Sequence, residues 1–391
     1  MKTAPQIAMV AGEASSDLLA AYVLDGMQQQ RPLIQSFGIG GTQMIQRGFQ
    51  ADWPSQKLAV HGYWDALIHY RELSSIRQQL IQRWSQTPPD LFVGCDAPDF
   101  NLGLELALRR AGVPTVHFIS PSIWAWRGER IKKIQQAVDL MLCLFPFEPA
   151  IYQNAGVKAL YVGHPLASSI PLQPNPEQAR QQLGLPAGQR VLAIMPGSRQ
   201  GEMKRLGPVF IETAKQLQVR DRQLVFAVPL SDDALARSFE ELLDKCHARH
   251  LNWFTVKPTL GAISSHRLIE ASDAVLVASG TATLECALYK KPMVIAYRVA
   301  APTYYMMKRM AYLPWIGLPN ILLREFAVPE FVQAAATPEA LSLACLKALD
   351  DEVYRESLKN KWQILHEQLR RPTASLAADA ILNLLDTHGK T

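Results

Sequence analysis

Cysteine is scarce in this chain: Cys95, Cys143, Cys246, Cys286 and Cys345 are five among 391 residues, far apart and odd in number. No CxxC pair occurs, which argues against a zinc framework or a disulfide scaffold and for reduced thiols. Charge of one sign is lacking too. The 40 Lys and Arg against 35 Asp and Glu leave a formal net charge of +5. The basic residues are scattered, with no arm and no ladder of aromatic and basic residues, so no nucleic-acid partner is expected. No apolar run approaches the about 18 residues of a membrane-spanning helix. The N-terminus, "MKTAPQIAMVAGE", runs straight into a strand pattern without the apolar core of a signal peptide. There are no repeats and no low-complexity segment. A glycine-rich phosphate loop is also missing where one is sought first: the turn in "VAGEASSDLLA" (10–20) carries Glu13 and two serines.

What is present is apolar surface. Hydrophobic residues make up 48% and charged ones 19%, enough to bury sizeable cores, and the length predicts two domains. Strand-like runs at Ile7–Val10, Gln35–Ile39, Leu91–Cys95, Thr115–Ile119, Leu140–Phe145 and Leu160–Val162 alternate with amphipathic segments such as Leu18–Gln30, Leu73–Trp84 and Leu102–Arg110. That alternation predicts a doubly wound parallel sheet. "PLQPNPEQ" (171–178) reads as an interdomain linker with little to bury. Beyond it the alternation restarts at Val191–Met195, Leu224–Val228, Trp253–Val256, Ala274–Val277 and Met293–Tyr297, with helices at 209–219, 233–249 and 281–289. The expected domains are 1–170 and 171–337, followed by a helical segment 338–391 with a breaker at Arg371-Pro372. A ligand is expected in a cleft where the strand C-termini of the two sheets face each other.

Several stretches carry chemistry. In "IMPGSRQGEMKRL" (194–206) a strand ends, Pro196-Gly197 turn the chain, and Ser198 and Arg199 sit at the mouth of the next helix with Glu202 in its first turn. Free N–H groups, a hydroxyl and a guanidinium suit a diphosphate; an ordinary turn with a capping serine is the plainer alternative. "VASGTATLECALYKKPMV" (277–294) repeats the device with Ser279, Gly280 and Thr281, and Glu285 one turn on can accept hydrogen bonds from ribose hydroxyls or simply complement the helix dipole. Asn320 in "LPNILL" is a further donor-site candidate, or a turn residue.

"VGCDAPDFN" (93–101) ends a buried strand with Asp96 and Asp99. They are not a DxD pair and no His pair stands nearby, so neither a metal nor another cofactor is expected. Asp96 is read as the base that takes a proton from a hydroxyl, and Asp99 as the cap of the following helix. "SPSIWAWRGERIKKI" (120–134) puts two tryptophans and Arg127 after another strand, a sugar-stacking surface or a buried core. His164 in "GHP" is a ligand contact or a structural turn. Two segments mix aromatic and apolar residues with basic ones: 60–80, with Tyr63, Trp64, Leu67 and Ile68, and 302–319, with Tyr304, Tyr305 and Met306. Both suit an interfacial position or an acyl-chain groove, or packing on the core.

Taken in order, "GEASSD", "GIGGTQM", "GCDAPDFN", "SPSIWAWR", "PFEPAIYQNAG", "VGHPL", "PGSRQGE", "ASGTATLECAL", "PMVIAYR" and "LPNILL" resemble the lipid-A-disaccharide synthase family over nearly the whole chain. The resemblance implies a GT-B fold, two Rossmann-like α/β domains, and an inverting glycosyltransferase. It implies transfer from UDP-2,3-diacylglucosamine to 2,3-diacylglucosamine 1-phosphate, giving a β-1,6-linked disaccharide and UDP. On matching positions Asp96 is the general base, and Arg199, Glu285 and Asn320 belong to donor binding or activity. Glu13, Ser15, Asp17, Asp99, Trp126 and Arg127 are assigned to the acceptor sugar. The family acts at the cytoplasmic face of the inner membrane, as a peripheral protein, and some members form homodimers. The tail is therefore expected either to pack back on the N-terminal domain or to be exchanged in a dimer. The chain departs from the family pattern G-E-x-S-G-D-x-x-G at Ser16 and Ala20, which replace glycines. Two alternatives stand beside this: a related GT-B enzyme using UDP-N-acetylglucosamine with another acceptor or as an epimerase, and a nucleotide-sugar-binding regulator without turnover.

Overall fold

Uninterrupted apolar runs make the central strands, because a parallel strand covered on both faces has no polar side. The computed structural model describes residues 4–12, 14–54, 58, 63–186, 188–256 and 262–388; for 14, 63–70 and 262–264 it describes the backbone alone. The chain divides into two units, Met1–Ser168 with Gln368–Thr391, and Ser169–Glu367.

The first unit holds strands β1 (Gln6–Ala11), β2 (Gln35–Gly40), β3 (Gln50–Pro54), β4 (Leu91–Cys95), β5 (Thr115–Phe118), β6 (Leu140–Cys143) and β7 (Lys158–Tyr161). They form one sheet in the order β3-β2-β1-β4-β5-β6-β7, every pairing parallel. Its helices are α1 (Ala14–Gln30), α2 (Thr42–Ile45), α3 (Tyr63–Gln86), α4 (Pro98–Arg110), α5 (Ile131–Ala137), α6 (Glu148–Asn154) and α7 (Pro165–Ser169), the last running into the second unit. The two faces of the sheet bury alternate residues. Ile7, Met9 and Val93 pack with Leu24 and Met27 of α1, whereas Ala8, Val10 and Phe92 pack with Leu80 and Trp84 of α3 and Leu104 of α4.

The second unit holds β8 (Val191–Met195), β9 (Val225–Pro229), β10 (Trp253–Val256), β11 (Ala274–Ala278), β12 (Met293–Tyr297) and β13 (Glu330–Val332), in the order β10-β9-β8-β11-β12-β13. Its helices are α8 (Pro176–Leu183), α9 (Gln200–Arg220), α10 (Asp233–Lys245), α11 (Ala262–Ala271), α12 (Thr281–Leu288), α13 (Ala301–Met310), α14 (Leu318–Leu323), α15 (Pro338–Asp350) and α16 (Glu352–Leu369). The final helix, α17 (Thr373–His388), returns to the first unit, where Ala377, Ala378, Ile381 and Leu382 join the core with α1.

In both sheets the strand order reverses beside the first strand, between β1 and β4 and between β8 and β11. A doubly wound sheet opens its ligand crevice at that point, outside the strand C-termini.

Three expectations change. The stretch 171–178 is not an empty linker: Asn175 caps α8 by accepting from Gln178 N at 3.0 Å, and its own N–H donates to Glu270 at 2.8 Å. The helical tail is not one body. Leu341 and Cys345 of α15 are core of the second unit, and only the last helix joins the first. Strands β3 and β13 carry no apolar run. The first is exposed at nearly every position and the second only half-buried, so edge pairing alone makes them strands.

Candidate active site

At the switch point of the first sheet, β4 ends in two consecutive left-handed residues, Asp96 (φ 56°) and Ala97 (φ 43°). Asp tolerates that region, but for Ala it costs roughly 1–2 kcal/mol, so the turn must be held. Asp96 N donates to Phe118 O at 2.9 Å. The wholly buried Asn101 donates through Nδ2 to Asp96 O at 2.7 Å, and more weakly to Cys95 O and Val10 O. The Asp96 side chain stays half-buried. Strain maintained by a dedicated side chain is a mark of a working site.

Beneath the turn lies a polar pair that the sequence did not announce. Glu105 Oε1 and His117 Nδ1 are 2.7 Å apart, both side chains wholly buried. Burial pushes the His117 imidazole down, but the charge and hydrogen bond of Glu105 outweigh it, with Asp96 adding, and the net shift is upward. Gly94 exists for this pair: a Cβ there would lie 2.1 Å from Glu105 Oε1. Asn101 Oδ1, Glu105 Oε2 and His117 Nε2 have no hydrogen-bond partner among the described residues, a concentration of orphaned polar atoms that packing alone would select against. The one available signal was the four-residue spacing of Asn101 and Glu105 on α4.

Other acceptor candidates separate by role. Glu13 lies outside the described residues, and Ser15 is exposed on α1. Asp17 is corrected to a structural residue: it is buried, with Oδ1 accepting from Gly41 N at 2.8 Å and Met44 N at 3.2 Å, and Oδ2 from Gln43 N at 2.9 Å. It caps α2 from a neighbouring helix. Ser16 and Ala20, at the family's glycine positions, are both buried without breaking α1. Asp99 does not cap α4; Ala97 holds that position, and Asp99 pairs instead with Arg127 and Arg130. Trp126 is half-buried with the Arg127 guanidinium 4.4 Å from its ring. Trp124 serves the fold, donating to the buried Glu148 at 3.0 Å. His164 does likewise: it is buried, stacked on Phe145, and accepts from Leu166 N at 3.3 Å.

At the switch point of the second sheet stand both loops read as phosphate-binding. After β8, Gly197 (φ +119°) turns beneath Glu202, whose Oε2 a Cβ would meet at 2.3 Å. Arg199 is the N-cap residue of α9, and its N–H donates to Glu202 Oε2 at 3.3 Å. A guanidinium has no acceptor, so only this half of a capping box forms. The Arg199 side chain is half exposed, 4.0 Å from Glu202 Oε1, and Ser198 is exposed. After β11, Ser279 Oγ donates to Ile316 O at 2.9 Å, and Gly280 and Thr281 open α12, exposed. A Cβ on Gly280 would meet nothing within 4 Å, so the fold itself does not require that glycine. Glu285 lies 3.6 Å from His266 Nε2 of α11, a partner not anticipated from the sequence.

Asn320 is corrected. It is wholly buried and saturated, donating to Val328 O and Glu330 Oε1 at 2.8 Å each and accepting from Val328 N at 3.0 Å. Glu330 in turn accepts from Ile316 N and Gly317 N. Asn320 therefore braces the loop that touches Ser279 rather than offering a free amide. Of the surface-active candidates, α13 has no buried residue, and Tyr305 and Met306 are exposed. Tyr304 is half-buried beside Lys308. The side chains of Tyr63, Trp64, Leu67 and Ile68 lie outside the described residues. Among the described residues no helix is long and apolar enough to cross a membrane, and no three His, Cys, Asp or Glu gather as metal ligands.

Two parallel sheets in the order 3-2-1-4-5-6, with phosphate-compatible loops at one switch point and a poised carboxylate at the other, define the GT-B class of nucleotide-sugar enzymes. Solved structures agree on the fold: a Staphylococcus aureus MnaA–UDP co-structure (TM-score 0.62, 12% identity, 99% of this chain and 97% of that one). A UDP-GlcNAc 2-epimerase from Neisseria meningitidis bound to UDP-GlcNAc matches as well (TM-score 0.63, 13% identity, 98% and 100%). The family model described as lipid-A-disaccharide synthetase matches residues 7–382. Lipid-A-disaccharide synthases of Aromatoleum aromaticum and Azoarcus sp. are each 50% identical over 98% of this chain and 97% of their own length; that of Dechloromonas aromatica is 48% identical over 99% and 100%. The chain belongs to the lipid-A-disaccharide synthase family.

Proposed function

We propose a division of labour for the family's reaction, in which the first unit activates the acceptor and the second holds the donor. The chain is an inverting, metal-independent UDP-sugar glycosyltransferase. It joins UDP-2,3-diacylglucosamine to 2,3-diacylglucosamine 1-phosphate, forming the β-1,6-linked disaccharide and UDP. Asp96 takes the proton of the attacking hydroxyl as the new bond to the anomeric carbon forms. The bond from that carbon to the UDP oxygen breaks on the opposite face. Growing charge on the diphosphate is met by Arg199 and by the amides where α9 and α12 begin, groups fixed before the reaction. Ser198, Ser279, Gly280 and Thr281 line the donor diphosphate, and Glu285 the ribose. Ser15, Trp126, Arg127 and Asp99 face the acceptor, and Asn101, Glu105 and His117 hold Asp96 in place. The observation that carries the reading is the strained, half-buried Asp96 turn at the switch point.

The protein works peripherally at the cytoplasmic face of the inner membrane. Supporting this, α13 exposes Tyr305 and Met306 beside Lys308 and Arg309, a mixture suited to an anionic interface. The decisive experiment supplies purified protein with both acylated sugars and follows products by mass spectrometry. Disaccharide 1-phosphate and UDP in equal amounts are expected. Hydrolysed or epimerised donor without disaccharide, or UDP binding without any product, would overturn the reading.

A further inference from the structure

Four cations converge where the first turn of α4 meets the loop after β5. Arg77 of α3 donates to Asp99 O at 3.2 Å, and its Nη1 lies 3.1 Å from where a Cβ on Gly103 would stand. Arg130 hydrogen-bonds the Asp99 carboxylate, and Arg127 Nη1 lies 3.5 Å from it. Both guanidiniums sit over the Trp126 ring, 4.4 and 5.7 Å from its centre. Arg127 is held in the left-handed region (φ 52°) to reach that place. Lys133 of α5 completes the group. Its ammonium is held below the ordinary lysine range, first by burial and then by Arg77, while Asp99 and Glu105 pull the other way.

One carboxylate does not neutralise this cluster. Asp99 is 80% exposed, whereas Arg130, which it binds, is only 14% exposed. The cations are thus fixed by the protein, by α4, Trp126 and one another, while the carboxylate side opens to solvent. Guanidinium forks and an ammonium around an open face match a phosphate monoester better than any neutral sugar hydroxyl, and the positive end of α4 adds to the same field. The distance also fits. The Cα atoms of Asp96 and Asp99 are at most about 11 Å apart along the chain, and the helical turn between them shortens that. In a hexose 1-phosphate one sugar ring separates the 6-hydroxyl from the phosphate.

We propose that Arg77, Arg127, Arg130 and Lys133 form an anion site that takes the phosphate monoester of the acceptor, so that the same sugar presents its far hydroxyl to Asp96. The assignment rests on the acceptor reading above. It is tested in full-length protein with Arg77→Gln and Lys133→Gln, each in two measurements. The first compares transfer to the acylated acceptor with and without its 1-phosphate. Each substitution should raise KM for the phosphorylated acceptor about ten-fold, the loss of one charge-assisted hydrogen bond, and leave KM for the unphosphorylated one unchanged. The second follows tryptophan fluorescence as glucosamine 1-phosphate or glucosamine is added. Only the phosphate should quench, and less in either variant; this readout needs no turnover, so it stands even if the transfer reading fails. Equal losses on both acceptors, or quenching by glucosamine alone, would refute the site. So would weaker binding to phosphatidylglycerol vesicles with acceptor discrimination intact, since the cluster would then serve a lipid headgroup.

Discussion

His164 and Glu148 titrate in opposite senses on either side of Phe145. Burial pushes the His164 imidazole down to about 4. Burial also pushes the Glu148 carboxyl up to about 7, although Phe145 N and Trp124 Nε1 both donate to it. As pH falls from 6.5 to 4 the unfolded chain protonates its histidine before the folded one can, so stability falls; the displacement is worth about 3 kcal/mol. Glu148 works the other way. Folded, it binds its proton near pH 7, and unfolded only near 4.5, so acid restores stability over that window and masks the histidine. His164→Asn keeps an acceptor for Leu166 N and removes the titration. In denaturant unfolding the wild type should lose about 3 kcal/mol relative to this variant between pH 7 and pH 4. A difference constant with pH would mean that His164 is not buried neutral. Residue identity alone gave a divided account of the polar groups. Asp96 was legible because a carboxylate at a strand end has few structural uses. Asp17 and Asn320 were misread because their partners, the amides of 41–44 and 328, come from distant turns that no local pattern reveals.

The contact of α1 with α17 depends on Gly26. A Cβ there would stand 2.3 Å from Ala374 O and 3.1 Å from the Ala378 methyl. Glycine within a helix costs about 0.5–1 kcal/mol relative to alanine, so its presence reflects the approach of the second helix. Gly26→Ala should therefore lower the melting temperature, with a cost of about 1–3 kcal/mol from overpacking exceeding the helix gain. An unchanged or raised melting temperature would show that the two helices are not pressed together. At this scale the sequence was most readable where burial is complete on both faces: β1, β4, β8 and β11 have the apolar runs that predicted them. Where an element is defined by pairing rather than by burial, as in β3 and β13, periodicity carried no signal. Prolines misled at 171–178, since Pro176 starts a helix instead of a linker.

The chain enters the second unit at 168/169 and leaves it at 367/368, so the second unit is one continuous stretch and the first is completed only by its last helix. Ala377, Ala378, Ile381, Leu382 and Leu385 are all core. Burying a leucine or isoleucine side chain contributes roughly 1.5–3 kcal/mol, so their sum approaches the stability of a whole domain. A chain ending at residue 367 should lose the cooperative unfolding of its first unit in calorimetry while keeping that of the second; two intact transitions would contradict this. The repeated strand order was legible from the alternation of patterns, whereas the return of the last helix required tertiary contacts. The central claim, a base in one unit and a diphosphate grip in the other, is tested most directly by titrating UDP into wild type, Asp96→Asn and Arg199→Ala and following disaccharide formation in the same samples. Asp96→Asn should bind UDP as wild type does and transfer at least about 100-fold more slowly, and Arg199→Ala should bind UDP about ten-fold more weakly or worse. Wild-type transfer by Asp96→Asn, or wild-type UDP affinity in Arg199→Ala, would contradict the account.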